Sequence, residues 1–206
     1  MTGDRLRQAA KALNQGVSQR VEGGQAAAFQ ATLNAAARGD EDAFGALWRN
    51  LQPTLLNYLK VIAPDSAEDL SAETWLEVIR KLDRFQGDEP AFRSWVLTIA
   101  RQQVVDWRRR SARRRTEPLS TGTPERAAPD WLSASVADTI SGREALSLVT
   151  SLPPAQAEVV ILRVIAGLNV AEVAAITGKT PSAVRMLSHR ALRRLAQEVK
   201  ATQSDG

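Results

Sequence analysis

Apolar residues recur along this chain at three- and four-residue spacing, and that period decides what it can fold into. Phe44, Leu47, Leu51, Leu55, Leu59 and Ile62 share one helix face. A second stripe runs through Leu70, Trp75, Val78, Ile79 and Leu82, and a third through Phe92, Trp95, Val96, Ile99, Val104 and Trp107. Pro64-Asp65-Ser66 separates the first two, with Ser66 placed to cap the second helix. Phe85-Gln86-Gly87-Asp88-Glu89-Pro90 separates the second from the third as a loop, with Pro90 suited to a first helical turn. Pro53 is expected to kink or break the first helix. The pattern predicts an all-α protein.

Between about Ser111 and Ser141 the period vanishes, and Pro118, Gly122, Pro124 and Pro129 gather among Ser, Thr and Ala. This composition reads as a linker. Past Gly142 the helical pattern returns through Leu146, Val149 and Leu152, then Pro153-Pro154, then Val159, Val160, Leu162, Val164 and Ile165, ending at Gly167. A chain of 206 residues can hold one large core or two small ones. The gap favours two small helical domains, at 33–110 and 142–200, joined by a flexible linker at 111–141. Residues before about Ala37 are rich in Ala, Gln and Gly, with a weak stripe (Leu6, Ala10, Leu13, Val17) broken at Gly23-Gly24. Residues 1–32 are therefore read as a mobile extension and 201–206 as a tail.

Charge is segregated more sharply than a net +4 suggests. Acids dominate from Asp40 to Ala100; then Arg101, Arg108, Arg109, Arg110, Arg113, Arg114 and Arg115 follow with Asp106 alone against them. A second basic excess comes from Lys179, Arg185, Arg190, Arg193 and Arg194. One acidic and two basic surfaces imply two kinds of partner. With no cysteine and a single histidine, His189, the chain lacks the usual materials of disulfide frameworks, thiolate metal sites and catalytic triads. Glu68, Asp69, Glu73 and Glu77 have no histidine near them to complete Glu-x-x-His pairs, so they read as a docking face for a basic protein rather than a metal site. No apolar run approaches the roughly 20 residues that span a bilayer, and Met1-Thr-Gly-Asp-Arg-Leu lacks signal-peptide order. The expectation is a cytoplasmic protein without catalytic residues, metal or cofactor, and without a membrane partner.

The most specific local signal begins at Val170. Asn169 and Glu172 have capping-box spacing, Ala174 is small enough for a close helix crossing, and Gly178 offers a left-handed turn. Thr180 then caps a second helix with Pro181 in its first turn, and Val184, Leu187, Ala191 and Leu195 form its inner face. The surface around its start and outer side carries Lys179, Thr180, Ser182, Arg185, Met186, His189 and Arg190. This is the layout of a helix-turn-helix whose second helix reads the major groove.

A run such as Arg108 to Arg115 is by itself a solvated or nonspecific phosphate-binding segment. Here it prolongs a helix bearing Trp95, Arg101, Gln102, Gln103 and Trp107, a mixture suited to single-stranded nucleic acid. The two tryptophans either stack on bases or pack into the core.

Taken together, Gly39-Asp-Glu-Asp-Ala-Phe-Gly-Ala-Leu, Ala67-Glu-Asp-Leu-Ser-Ala-Glu-Thr-Trp-Leu, Lys81-Leu-Asp-Arg-Phe-Gln-Gly-Asp, Phe92-Arg-Ser-Trp-Val-Leu-Thr-Ile-Ala-Arg and the segment from Ser151-Leu-Pro-Pro-Ala-Gln to Arg190-Ala-Leu-Arg-Arg-Leu resemble a sigma factor of the extracytoplasmic-function type. The resemblance spans roughly Leu33 to Val199, and makes 33–110 region 2 and 142–200 region 4. It implies binding to core RNA polymerase, at the clamp coiled coil of the largest subunit and at the flap. It also implies recognition of minus-ten and minus-thirty-five promoter elements, and regulation by an anti-sigma factor. Glu68, Asp69, Leu70, Glu73 and Trp75 would lie on the clamp-gripping helix, where this chain has Ala72 and Trp75 in place of the family's usual Gln and Phe. Phe85, Gln86, Gly87 and Asp88 would form the loop that captures a flipped minus-ten base, with Arg93, Trp95, Arg101, Gln102, Arg108 and Arg109 on the adjoining helix. Lys179, Thr180, Ser182, Arg185, Met186, His189 and Arg190 would face the minus-thirty-five element, Met186 standing where a small polar residue is common. The linker, with Glu117, Glu125, Asp130 and Asp138, would thread toward the RNA exit path. Two rivals are a homodimeric helix-turn-helix repressor and a small helical metalloprotein.

Overall fold

The computed structural model describes the backbone of residues 24–116 and 148–204, with side chains through 113 and 197. Among these residues every regular element is helical. The linker region at 117–147 and the segment before residue 24 lie outside the described residues.

The first helix, α1, covers 24–37, inside the stretch that composition marks as unstructured. Three apolar residues explain it. Phe29, Leu33 and Ala36 share a face; Leu33 and Ala36 are buried, and Phe29 sits tilted on Phe92 at 5.8 Å. Gly39, at φ 92°, then turns the chain, and the Asp40 carboxylate accepts the Ala43 N–H at 2.9 Å to start α2, Glu41–Ile62. Pro53 neither breaks nor ends this helix. An internal proline costs about 3 kcal/mol. Burying Leu47, Leu51, Leu55 and Leu59 on the same helix returns about 1.5–3 kcal/mol each, so the continuous form wins.

A 3-10 turn, Pro64–Ser66, leads into α3, Ala67–Lys81. Ser66 occupies the N-cap position but makes no side-chain cap bond, contrary to the expectation from sequence; its backbone is not in the usual extended cap conformation. A second 3-10 turn, Leu82–Arg84, precedes the loop, and Asp88 then accepts the Ala91 N–H at 2.9 Å at the start of α4, Glu89–Thr116. This helix carries the third stripe and the arginine run on one cylinder, continuing past residue 110 where the periodicity ends. Helices α2, α3 and α4 surround Leu55, Leu59, Leu70, Val78, Val96 and Val104, all essentially inaccessible.

The C-terminal unit opens with a helical turn at 148–150, followed by α5, Pro154–Val160, which runs into a π turn, Ile161–Ile165. Then come α6, Val170–Thr177, and α7, Pro181–Ser204. The local signals hold here. Asn169 Oδ1 accepts from Ala171 and Glu172 N–H at 2.8 and 3.0 Å, and Glu172 Oε2 accepts the Asn169 N–H at 2.6 Å, closing the capping box. Gly178 is left-handed at φ 67°, and Thr180 Oγ1 accepts the Ala183 N–H at 3.2 Å. Val184 and Ala191 are fully buried, and Leu187 and Leu195 partly so.

Asn169→Ala is expected to lower stability by about 0.5–2 kcal/mol, with Asn169→Asp close to the parent, in urea denaturation followed by helical circular dichroism.

Candidate nucleic-acid interface and docking helix

The second helix of the helix-turn-helix presents to solvent the residues that the sequence singles out for DNA reading. Thr180, Ser182, Arg185, Met186, His189 and Arg190 are all exposed, and Lys179 is half-exposed beside them. An α-helix brings positions three and four apart onto one side, so Ser182, Arg185, Met186, His189 and Arg190 form one strip about two turns long. Met186, 46% exposed, is an apolar spot in a cationic field.

The loop before α4 is organised by aromatic stacking. Phe85 lies on Trp95 with centroids 4.8 Å apart and planes at 30°, and meets Phe92 edge-on at 5.4 Å. Beside this pair is an open hollow of about 490 Å³ lined by Lys81, Arg84, Phe85, Gln86 and Trp95. Trp95 thus serves both readings offered by the sequence: it packs on the core-facing Phe92 and lines the hollow. Lys81 and Arg84 are additions to the residues picked out from sequence. Their signal was available, since both flank Phe85 in the stretch Lys81-Leu-Asp-Arg-Phe. Gly87 is the residue that lets Phe85 lie there, because a Cβ at that position would sit 2.9 Å from Ala91 Cβ and 3.0 Å from Phe85 Cζ.

The remaining sequence-picked residues of α4 divide. Gln102 and Arg109 are exposed. Arg108 donates to the carbonyl of Ile62, the last residue of α2, where a cation suits the helix terminus. Arg93 and Arg101 turn toward the C-terminal unit. Arg93 pairs with Glu89 at 3.2 Å and reaches the Ala166 carbonyl at 3.4 Å; Arg101 Nε meets Glu158 Oε1 at 2.9 Å, and its Nη2 donates to the Thr177 carbonyl at 3.1 Å. Trp107 lies apart from the Phe85 loop, in a hollow of about 580 Å³ between α3 and α4 that Asp69 and Glu73 also line.

On α3, Asp69 and Glu73 are exposed and Glu68 is half-exposed, whereas Leu70 and Trp75 are buried. Leu70 and Trp75 therefore set the position of this helix from within rather than form its outer surface. Trp75 is held by Gln52, whose Oε1 accepts from the indole N–H at 2.7 Å and from Ser71 Oγ at 3.0 Å; Phe44 packs edge-on against the ring at 5.8 Å. Two acids of α3 have cationic neighbours. Glu73 lies 3.5 Å from Arg110, and Glu77 is held below the usual carboxylate range by hydrogen bonds from Lys81 and Arg80.

Tyr58 lies fully buried in α2, its hydroxyl 3.4 Å from Glu158 Oε1. Burial, and secondarily the Glu158 charge, push its phenol well above the ordinary value. Neither Tyr58 nor Glu158 carries a signal in the sequence, because their pairing exists only once the two units meet.

A solvent-facing basic helix in a helix-turn-helix, an aromatic loop beside a cationic hollow and a separate acidic helix are features of a DNA-binding protein that also carries an exposed acidic face. The comparisons with known proteins narrow the class. The family model for sigma-70 region 2 matches residues 47–114, and that for sigma-70 region 4 matches 142–195. The ECF RNA polymerase sigma factor SigD of Mycobacterium tuberculosis is 32% identical over 183 residues, 84% of this chain and 84% of that one. The ECF RNA polymerase sigma factor BldN of Streptomyces coelicolor is 36% identical over 165 residues; the match takes in 77% of this chain and spans 61% of that relative's length. In fold the chain is similar to RpoE, solved with the anti-sigma factor NepR from Bartonella quintana (TM-score 0.56, 22% identity, 76% of this chain and 96% of that one). It is also similar to CnrH, solved with the cytosolic domain of CnrY (TM-score 0.53, 24% identity, 82% and 96%). This chain belongs to the ECF sigma factors of the sigma-70 family, subunits that direct promoter-specific initiation without catalysing a reaction themselves.

Two measurements test the local geometry. Gly87→Ala should cost about 1–3 kcal/mol through overpacking and alter the near-ultraviolet circular dichroism of the Phe85–Trp95 pair; a spectrum and stability like the parent's would mean that the ring moves aside freely. Tyr58 is the sole tyrosine, so tyrosinate absorbance reports it directly. In the native chain its midpoint should lie above the ordinary value of about 10, and in denaturing urea at that value. Because the folded state holds this proton more tightly, the stability it contributes is complete below the unfolded value and is lost as pH rises through the folded one.

Proposed function

We propose that the chain docks on core RNA polymerase through the acidic side of α3 and then reads a promoter with two separate surfaces. Glu68, Asp69 and Glu73 would meet the basic clamp coiled coil of the largest subunit, with Leu70 and Trp75 supporting the helix from inside. The C-terminal unit would sit at the flap. Lys179, Thr180, Ser182, Arg185, Met186, His189 and Arg190 would address the minus-thirty-five duplex. Arginine can make paired hydrogen bonds to guanine O6 and N7, so Arg185 is the residue assigned to base discrimination.

The hollow lined by Lys81, Arg84, Phe85, Gln86 and Trp95, with Gly87 and Asp88 completing the loop beside it, would receive an unstacked minus-ten base, with Gln102 framing it and Arg93, Arg101, Arg108 and Arg109 along the strand. Unstacking costs a few kcal/mol, which an aromatic, shape-selective pocket offsets for a fitting base. Residues 33–110 and 142–200 would act as regions 2 and 4, with the chain that follows the end of α4 at Thr116 as the tether between them. A cytoplasmic location follows from partnership with polymerase, and no helix among the described residues is long and apolar enough to cross a membrane. An anti-sigma factor is the expected regulator, since RpoE, similar to this chain in fold, is described in complex with the anti-sigma factor NepR.

The observation that carries this reading is the solvent-facing strip of α7, positioned by the Asn169–Glu172 capping box, the left-handed Gly178 and the Thr180 cap. Run-off transcription with core polymerase on a promoter library tests it. The chain should co-elute with core enzyme and start RNA at defined sites. Arg185→Ala should lose about 1–3 kcal/mol of discrimination at one base pair of the upstream element, and an unchanged preference removes Arg185 from the reading surface.

A further inference from the structure

Helix α7 buries one side and leaves a thioether on the other. Val184 and Ala191 are inaccessible, and Leu187 and Leu195 pack partly against the core. Met186 takes no part in either hydrophobic cluster and is 46% exposed. Its neighbours on that side of the helix, Ser182, Arg185, His189 and Arg190, are polar and exposed. A single exposed apolar residue needs no explanation by itself. The position of this one does, because it stands in the middle of the strip assigned to DNA.

Met186 lies in the second turn of α7, which begins at Pro181, and the N-terminal turns of a recognition helix are those that reach base edges in the major groove. Of the groups that distinguish base pairs there, one is apolar, the C5-methyl of thymine. A thioether donates no hydrogen bond and accepts only weakly. Against guanine, adenine or cytosine it covers polar groups that water had been bonding and replaces none of those bonds. Against thymine it covers a methyl, and an unbranched, polarisable side chain adapts readily to that contact. Adjacent residues of a helix are turned by about 100° from one another, so Arg185 and Met186 do not compete for one base.

We infer that Met186 reads the C5-methyl group of a thymine in the upstream element, at a base pair other than the one assigned to Arg185. The inference rests on the approach of α7 to the duplex proposed above, and adds to it a base and the group recognised on that base. Arg185, Arg190 and Lys179 supply charge, which attracts any duplex and weakens with salt. Met186 has no charge to offer, so its part is discrimination, with no share in the salt dependence.

Replacing thymine by deoxyuridine removes this methyl and leaves every hydrogen-bonding group of the base pair in place. Holoenzyme assembled from core polymerase and the full chain is titrated, by fluorescence anisotropy, against promoter duplexes in which the thymines of both strands of the upstream element are replaced one at a time. For the parent, one replacement should weaken binding about fourfold, the effect of one buried methyl-sized group. Met186→Gln, similar in length but polar, should bind the thymine and uracil duplexes alike, and Met186→Leu should keep most of the difference. Both variants should retain the salt dependence of the parent, and circular dichroism should show unchanged helix content.

A parent insensitive to every replacement overturns the inference, as does a thymine preference that survives intact in Met186→Gln. Arg185→Ala separates this failure from a deeper one. If Arg185→Ala alters discrimination while no replacement matters, α7 reads the duplex and Met186 does not read a methyl. If neither Arg185→Ala nor Met186→Gln alters any upstream preference, the approach of α7 fails and the inference falls with it.

Discussion

Helix α4 has to satisfy three neighbours with one cylinder, and the arrangement of the whole molecule follows from how it does so. Its buried stripe, Phe92, Val96, Ile99, Ala100 and Val104, belongs to the shared core. Its arginines fan outward: Arg93 and Arg101 to the C-terminal unit, Arg108 to the end of α2, Arg110 to Glu73 of α3. A guanidinium is always charged and offers donors in a planar fork, so each one orients whatever acceptor it meets. A helix so strongly basic is thereby tied into the fold at several points.

What could be read from the sequence was whatever depends on neighbours a few residues apart. The capping box of Asn169 and Glu172, the left-handed Gly178 and the Thr180 cap are interactions within one or two turns, and residue type alone announces them. The strip on α7 followed from helical geometry in the same way. The break considered at Pro53 does not occur, because the local cost of the proline is set against four leucines whose burial depends on α3 and α4. Helix α1 was missed because its face is built from Phe29, Leu33 and Ala36 within an Ala- and Gln-rich stretch, and becomes apolar surface worth burying only when Phe92 lies beneath it. Glu158 had no legible role at all, since its partners Tyr58 and Arg101 stand 100 and 57 positions away.

The candidate site shows the same division at finer scale. Residues picked by motif on α3 include two, Leu70 and Trp75, that face inward, and Gln52, which no motif marks, is what holds the Trp75 indole in place. Conversely Lys81 and Arg84 line the hollow beside Phe85, although the sequence points only to Phe85, Gln86, Gly87 and Asp88 in this loop. Spacing identifies which helix matters; three-dimensional packing decides which of its side chains touch solvent.

The π turn at Ile161–Ile165 accommodates one more residue than an α-helical turn would, with the Ala166 N–H bonded back to the Ile161 carbonyl. Such a widened turn is how a helix absorbs a change of length without disturbing what comes before or after it. Relatives shorter by one position in this stretch could therefore keep α5 and α6 superimposable by reverting to ordinary helical winding. The segment joining α5 to the helix-turn-helix is thus a place where evolution can add or remove a residue inside secondary structure rather than in a loop.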